Sequence, residues 1–149
     1  MKKQTFFKVM AMLLLVAGLG MQAMAQAKDP IEGLWYNAEK TAKINIFKAT
    51  DGKFWGEIVW LKEPNVNGKP RTDVNNTTAA KRTRPIMKLQ ILRHFEKDGA
   101  KTYDNGEIYD PKNGKTYDCK ITHKGTSLSV RGYVGISMIG RTTTWQRAE

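Results

Sequence analysis

The chain has 149 residues, 25 Lys and Arg against 14 Asp and Glu, one Cys and two His. That is one domain's length; the lone Cys excludes an intrachain disulfide framework, and two His with one Cys fall short of a four-ligand His/Cys zinc centre. Only one stretch, near the start, is long and apolar, which excludes a polytopic membrane protein.

That stretch reads as a secretory signal peptide over residues 1–25. Lys2, Lys3 and Lys8 give a positive start, Val9 to Met21 carries no charge, and Ala23-Met24-Ala25 supplies a small-x-small cleavage site before Gln26. The 13 residues of the uncharged run are too few to cross about 30 Å of hydrocarbon as a helix. No Cys follows them to carry a lipid anchor. The expected product is a periplasmic or secreted single domain, residues 26–149, with no transmembrane segment. It keeps 22 Lys and Arg against 14 Asp and Glu, a net +8.

From Gln26 onward the chain reads as short alternating runs with no convincing helix. Strands are predicted over Gly33–Asn37, Ala42–Ala49, Phe54–Leu61, Ile86–Glu96, Lys101–Asp110, Lys115–His123, Ser127–Gly135 and Met138–Gln146. Asp51-Gly52, Asp98-Gly99 and Asn113-Gly114 supply the φ > 0 of tight hairpins. Asn105-Gly106, inside the fifth strand, reads as a bulge. Ile44 and Ile46 share a face, as do Met87, Leu89 and Ile91, then Tyr117, Cys119 and Ile121, then Leu128, Val130, Gly132 and Val134. The opposite faces are polar, the pattern of one face inside and one wet. Phe54–Leu61 is apolar on both faces, so its outer face needs a cover from the N-terminal segment or a loop. Cys119 reads as a small buried hydrophobe.

Eight sequential strands joined mostly by hairpins predict an up-and-down antiparallel β-barrel, which closes and so leaves no exposed edge. The competing architecture, a two-sheet sandwich, needs longer crossovers. One connection is long, Lys62 to Pro85 between the third and fourth strands, with a short helical turn expected around Asn75 to Lys81. A loop of that length suits a lid or a binding loop.

Several strings resemble a known family: Gly33-Leu34-Trp35, Asp73-Val74-Asn75-Asn76, Arg84-Pro85-Ile86, Gly106-Glu107-Ile108-Tyr109-Asp110-Pro111, Lys112-Asn113-Gly114-Lys115-Thr116-Tyr117, Val130-Arg131-Gly132-Tyr133-Val134-Gly135 and Gly140-Arg141-Thr142-Thr143-Thr144-Trp145-Gln146-Arg147. Together they are similar to the bacterial secreted family called domain of unknown function 2147. The resemblance implies a lipocalin-like fold of the calycin group and brings no activity or ligand. Where the family usually has Gly before the Leu that follows Arg-Pro, this chain has Lys88. Gly33-x-Trp35 is also similar to the first-strand motif of lipocalins, which implies structural barrel closure by Arg147 or Arg141 packed across the Trp35 ring.

Catalysis finds little support. Cys119 and His123 lie four residues apart on one strand, about 13 Å, too far for a dyad. No phosphate loop, nucleophile elbow or His-Glu-x-x-His string is present. No catalytic residue, cofactor or metal is expected, and an enzyme ranks behind two binding roles. The first is an exported protein that binds a small amphipathic or apolar ligand, or serves as an envelope accessory. Its candidate ligand-binding residues are Asp73, Asn75, Asn76 and Arg84 on the long loop, with Tyr109, Tyr117, Arg131, Tyr133, Arg141 and Trp145 on the strands. Each has a structural alternative. The loop residues tie their own backbone, with Arg84 pairing Asp73; alternation with Val130 and Val134 turns Arg131 outward; and the four Trp fill a packed barrel. The second role is a basic module that binds an anionic envelope surface through Lys81, Arg82 and Arg84. Nucleic acid is disfavoured by compartment.

Overall fold

A computed structural model describes residues 26–149; the predicted signal peptide lies outside the described residues. Ten strands and one short helical turn follow in chain order: β1 (Gly33–Tyr36), β2 (Ala42–Lys48), β3 (Phe54–Leu61), β4 (Asn65–Val66), β5 (Lys69–Pro70), the 3-10 turn η1 (Ala79–Lys81), β6 (Gln90–Lys97), β7 (Thr102–Asp110), β8 (Lys115–His123), β9 (Ser127–Tyr133) and β10 (Gly140–Arg147). All but β4 and β5 form one closed antiparallel barrel in which each strand pairs with its neighbours in sequence and β10 returns to β1. The predicted up-and-down barrel is the observed fold.

Its two ends differ. The β2–β3, β6–β7 and β8–β9 turns and the segment before β1 lie at one end, where the inward side chains of Trp35, Ile46, Phe54, Phe95, Tyr103 and Leu128 are buried against one another. At this closed end the Trp35 indole donates its Nε1–H to the Ile31 carbonyl at 2.7 Å. The Arg147 guanidinium lies 3.7 Å above the ring centroid, and its other bonds run to the Glu32 and Pro30 carbonyls at 2.9 and 2.6 Å. Arg147, not Arg141, covers Trp35, a cation–π contact worth about 0.5–2 kcal/mol. Gly33 sits beneath it at φ 121, and a Cβ there would meet Arg147 Nη1 at 2.8 Å. Asp29, held by Lys97 at 2.6 Å and by the Tyr103 hydroxyl, straps the incoming chain across the same end.

Three elements depart from the sequence reading. β6 begins at Gln90 rather than Ile86, because Ile86–Leu89 makes a turn (Leu89 N–H to Ile86 C=O, 3.1 Å) with Lys88 at φ 68. Leu89 and Ile91 are buried as the alternation expects, but beyond them it breaks: His94 takes φ 62, and Leu92 and Phe95, three apart, are both buried. β10 begins at Gly140 rather than Met138, because Gly135 at φ 77 turns the chain out of β9. The expected bulge at Asn105 is present, with Asn105 at φ 56 and a register shift between Tyr103 and Gly106. On the outer face of β3 the two Trp side chains find partners on other strands. Trp55 packs on His94 at 4.3 Å, while Trp60 packs on Tyr36 with Lys43 over both rings. Cys119 is buried, and desolvation pushes its thiol up to about 12.

Lys88 occupies a left-handed conformation that disfavours any residue with a Cβ by about 1–2 kcal/mol. Its ion pair with Glu57, 3.4 Å long and largely exposed, returns little. Lys88→Gly is therefore expected to stabilise the protein by about 0.5–1 kcal/mol, part of the relief being cancelled by unfolded-state entropy, as read by urea denaturation.

His123 packs edge-on against Trp35 at 5.9 Å with its Nε2 buried and unpartnered. Burial, reinforced by Arg147, holds its imidazole below the ordinary value of 6.5. The unfolded chain therefore binds this proton more readily than the folded one, and stability declines as pH falls below about 6.5. Asp29 acts in a lower window: burial raises its carboxyl, but the Lys97 and Tyr103 bonds outweigh it and hold the group below 3.8. Denaturation midpoints from pH 7 to about 5 should fall in the wild type and stay flat in His123→Leu.

Candidate functional site

The other end of the barrel is open. β2, β6, β8 and β10 start there, β1, β3, β7 and β9 finish there, and the long 62–89 segment and the β1–β2, β7–β8 and β9–β10 loops surround it. They enclose a funnel-shaped cavity of about 1750 Å³. Its floor is formed by Ile44, Ile58, Ile91, Val130 and Trp145, none more than 6% exposed, so the lower barrel is packed and the space lies above it. The half-buried side chains of Leu61, Ile108, Tyr117 and Thr143 make the wall. Arg141 stands exposed at the mouth, near enough to Glu39 to lower that carboxyl behind the stronger effect of Lys112.

The long segment carries the short helical turn expected near Lys81 and more structure besides. β4 and β5 form a small hairpin, η1 supplies one turn, and Thr72 bridges Pro85 to close the base. At that base Asp73 is fully buried. Its carboxylate accepts the Tyr109 hydroxyl at 2.6 Å, the Asn76 amide at 2.8 Å and the Arg84 guanidinium at 2.7 and 2.8 Å. Burial, then the bond to Asp73, raises the Tyr109 hydroxyl above its ordinary value. The Arg84 guanidinium also lies over the Tyr109 ring at 5.3 Å. Asn75 reaches across to the β7–β8 turn, donating to the Pro111 and Lys112 carbonyls at 3.2 and 3.0 Å. The turn fits only because residue 114 is Gly: it has φ 70, and a Cβ would sit 1.9 Å from the Asn75 carbonyl oxygen. Lys112 of the same turn pairs with Glu39 on the β1–β2 loop.

The structure therefore divides the predicted site residues. Tyr117, Arg141 and Trp145 line the funnel, as do Asn75 and Tyr109 at its edge. Tyr133 stands at the mouth end of β9, but strand alternation puts its ring on the outer face with Arg131, where burial and then the Asp104 and Asp118 carboxylates raise its hydroxyl. Asp73, Asn76 and Arg84 do not reach it, and their polar atoms bond one another, Tyr109 or their own backbone. Arg131 does not reach it either: it lies on the outer face, where its guanidinium holds the Ser137 and Met138 carbonyls and the Thr142 hydroxyl. Gly33, Trp35 and Arg147 belong to the closed end. Of the cationic run proposed to bind envelope surfaces, Arg82 donates to the Asn76 carbonyl and Arg84 to Asp73, leaving Lys81 without such a tie among the described residues. Sequence reasoning missed the floor isoleucines as parts of a site, since an inward Ile reads only as core. It also missed the apolar β9–β10 loop, taking Met138 as strand.

A closed eight-stranded up-and-down barrel, plugged by a Trp–Arg pair at one end and open at the other, defines a lipocalin-like protein. The chain matches, over residues 33–147, the family described as "Uncharacterized protein conserved in bacteria (DUF2147)", and it belongs to that family. Among solved structures it is similar to HP1028 of Helicobacter pylori, described as belonging to the lipocalin family. The identity is 22% over 79% of this chain and 82% of that one, with a TM-score of 0.68, a likeness of fold. No curated protein matches the chain.

The Asp73 network makes the funnel wall a fixed structure. Tyr109→Phe leaves Asp73 short of one buried donor and should cost about 1–2 kcal/mol. Gly114→Ala should cost more, because the β7–β8 turn must lift off Asn75. Both are read by thermal unfolding, with amide exchange at 72–86 rising before the barrel strands do.

Proposed function

We propose that this protein is an exported carrier or sensor of a small amphipathic or apolar molecule held in the funnel. One observation carries the reading: a wide cavity has a largely apolar floor, Ile44, Ile58, Ile91 and Val130 beside the Trp145 indole, and carries hydrogen-bonding groups such as Tyr117, Thr143 and Arg141 on its wall and mouth. This is the arrangement in which apolar contact supplies affinity and a few polar groups fix orientation. The volume exceeds the roughly 300–1,000 Å³ common for small-molecule sites, so a long or multi-chain apolar body is accommodated. Arg141, with no ion-pair partner among the described residues, offers a charge-assisted bond to an anionic head group. Export rests on the signal-peptide pattern of residues 1–25.

Native mass spectrometry of the mature protein, purified gently from its host's envelope fraction, tests this directly. A reproducible added mass that leaves on denaturation is the expected result; a bare mass, together with no uptake of a dansyl-labelled fatty acid, overturns the reading. Gly132 provides the specific control. A Cβ there meets only Ile108 and Tyr117 at ordinary distances of 3.5 and 3.7 Å, so Gly132→Leu should fold, fill the funnel and abolish uptake. Arg141→Gln should weaken binding of the labelled acid about tenfold and leave its neutral amide unaffected.

A further inference from the structure

All seven large apolar side chains that stand exposed among the described residues, Trp60, Val66, Val74, Val134, Ile136, Met138 and Ile139, belong to the open end. At the closed end the turns read Thr50-Asp51-Gly52, Asp98-Gly99-Ala100 and Lys124-Gly125-Thr126, with nothing comparable. The β9–β10 loop is the centre of this asymmetry: Val134, Ile136, Met138 and Ile139 are 58–85% exposed. The loop is a built platform. Arg131 grips the Ser137 carbonyl at 2.6 Å, the Met138 carbonyl at 3.1 Å and the Thr142 hydroxyl at 2.8 Å. Inside it the Ile136 and Ile139 amides donate to the Val134 and Ile136 carbonyls. An apolar patch held rigidly in water marks a surface meant to be covered.

The charges around it indicate the cover. Lys62, Lys69 and Arg141 stand at the mouth beside Val66, Val134 and Ile139, without an ion-pair partner among the described residues. The carboxylates Glu63 and Glu39 there are bound to Arg71 and Lys112; Asp110 is the remaining acid of the mouth. On the outer wall below the rim, Trp60 and Tyr36 pack edge-to-face with Lys43 over both rings, an amphipathic cluster suited to the level where lipid tails meet headgroups. We infer that the open rim docks on a lipid bilayer rich in anionic headgroups, the β9–β10 platform entering the apolar boundary while the rim cations meet the phosphates. Docking places the funnel mouth against the membrane. It goes beyond the ligand-binding reading and does not depend on it.

Co-sedimentation of the mature protein with vesicles tests the inference. Strong binding is expected to phosphatidylcholine vesicles containing phosphatidylglycerol, and weak binding to phosphatidylcholine alone. Ile136→Asp with Met138→Asp, both well exposed and outside the barrel, should lower partitioning about tenfold or more. Lys62→Gln and Lys69→Gln should each lower it about fivefold on anionic vesicles only, and Trp60 emission should shift to the blue on binding. Gly132→Leu should dock like the wild type, which separates this surface from the funnel. Absence of vesicle binding overturns the inference, as does equal binding by the Asp variant. So does a concentration-dependent dimer, without vesicle binding, that the Asp variant reduces to monomer, since a second copy would then be the cover.

Discussion

The barrel closes through its shortest seam. β1 pairs with β10 only at Trp35 with Arg147 and at Tyr36 with Gln146, whereas β9 and β10 run in register over seven residue pairs. Backbone ladder alone secures the closure weakly, so side chains must complete it. Arg147 does this from the end of β10 by covering the indole at the heart of β1 and holding two carbonyls of the incoming chain. That grip needs Trp35 buried, Gly33 without a side chain and the 29–32 segment folded across the end. The whole closed end is thus organised around one cation and one ring.

From this closure the asymmetry of the molecule follows. Large rings (Trp35, Phe54, Phe95 and Tyr103) fill the closed end, and side chains of moderate size, chiefly Ile44, Ile58, Ile91 and Val130, extend the packing up to the funnel floor. Above them the inward positions of β9 and β10 carry Gly132 and Thr143, too small to fill a barrel of eight strands, and space opens. A cavity in such a barrel is a statement about residue volume at inward positions on one half of the strands. The stability of the closed half makes the unfilled half tolerable.

The fold was largely legible because hairpin chemistry and two-residue alternation act locally. Asp51-Gly52, Asp98-Gly99 and Asn113-Gly114 mark real turns, and the β8 and β9 rhythms need no tertiary information. The reading failed where non-local contacts override the local rule. His94 in a left-handed conformation lets both Leu92 and Phe95 face inward, and the strand that alternation starts at Ile86 starts at Gln90 because the chain first turns through Lys88. The site was half legible. Arg141 and Trp145 were recognisable as polar or aromatic residues on the last strand, and alternation with Val130 turned Arg131 outward, which carries Tyr133 outward too; what alternation does not give is the role of Arg131, which comes from three partners across a loop. Asp73 shows the same limit. Pairing with Arg84 was foreseeable from proximity in sequence, whereas Tyr109, 36 residues away, was not.

The ties on the long segment also decide how the funnel is entered. A connection of its length invites the role of a lid, but Asp73 anchors its base, Asn75 bonds the β7–β8 turn and Lys112 links that turn to the β1–β2 loop. A lid swinging on this base would strip the Tyr109 hydroxyl from a buried carboxylate and break both Asn75 bonds to the β7–β8 turn, which opposes opening more than ordinary loop motion does. The mouth is therefore a standing aperture, with little ordering cost left for a ligand to meet. An aperture that stays open in water leaves an apolar cargo partly wet at its upper end. On the proposed docking a membrane covers the apolar rim and meets that difficulty: cargo would pass between bilayer and funnel while the wall that would otherwise have to open stays rigid.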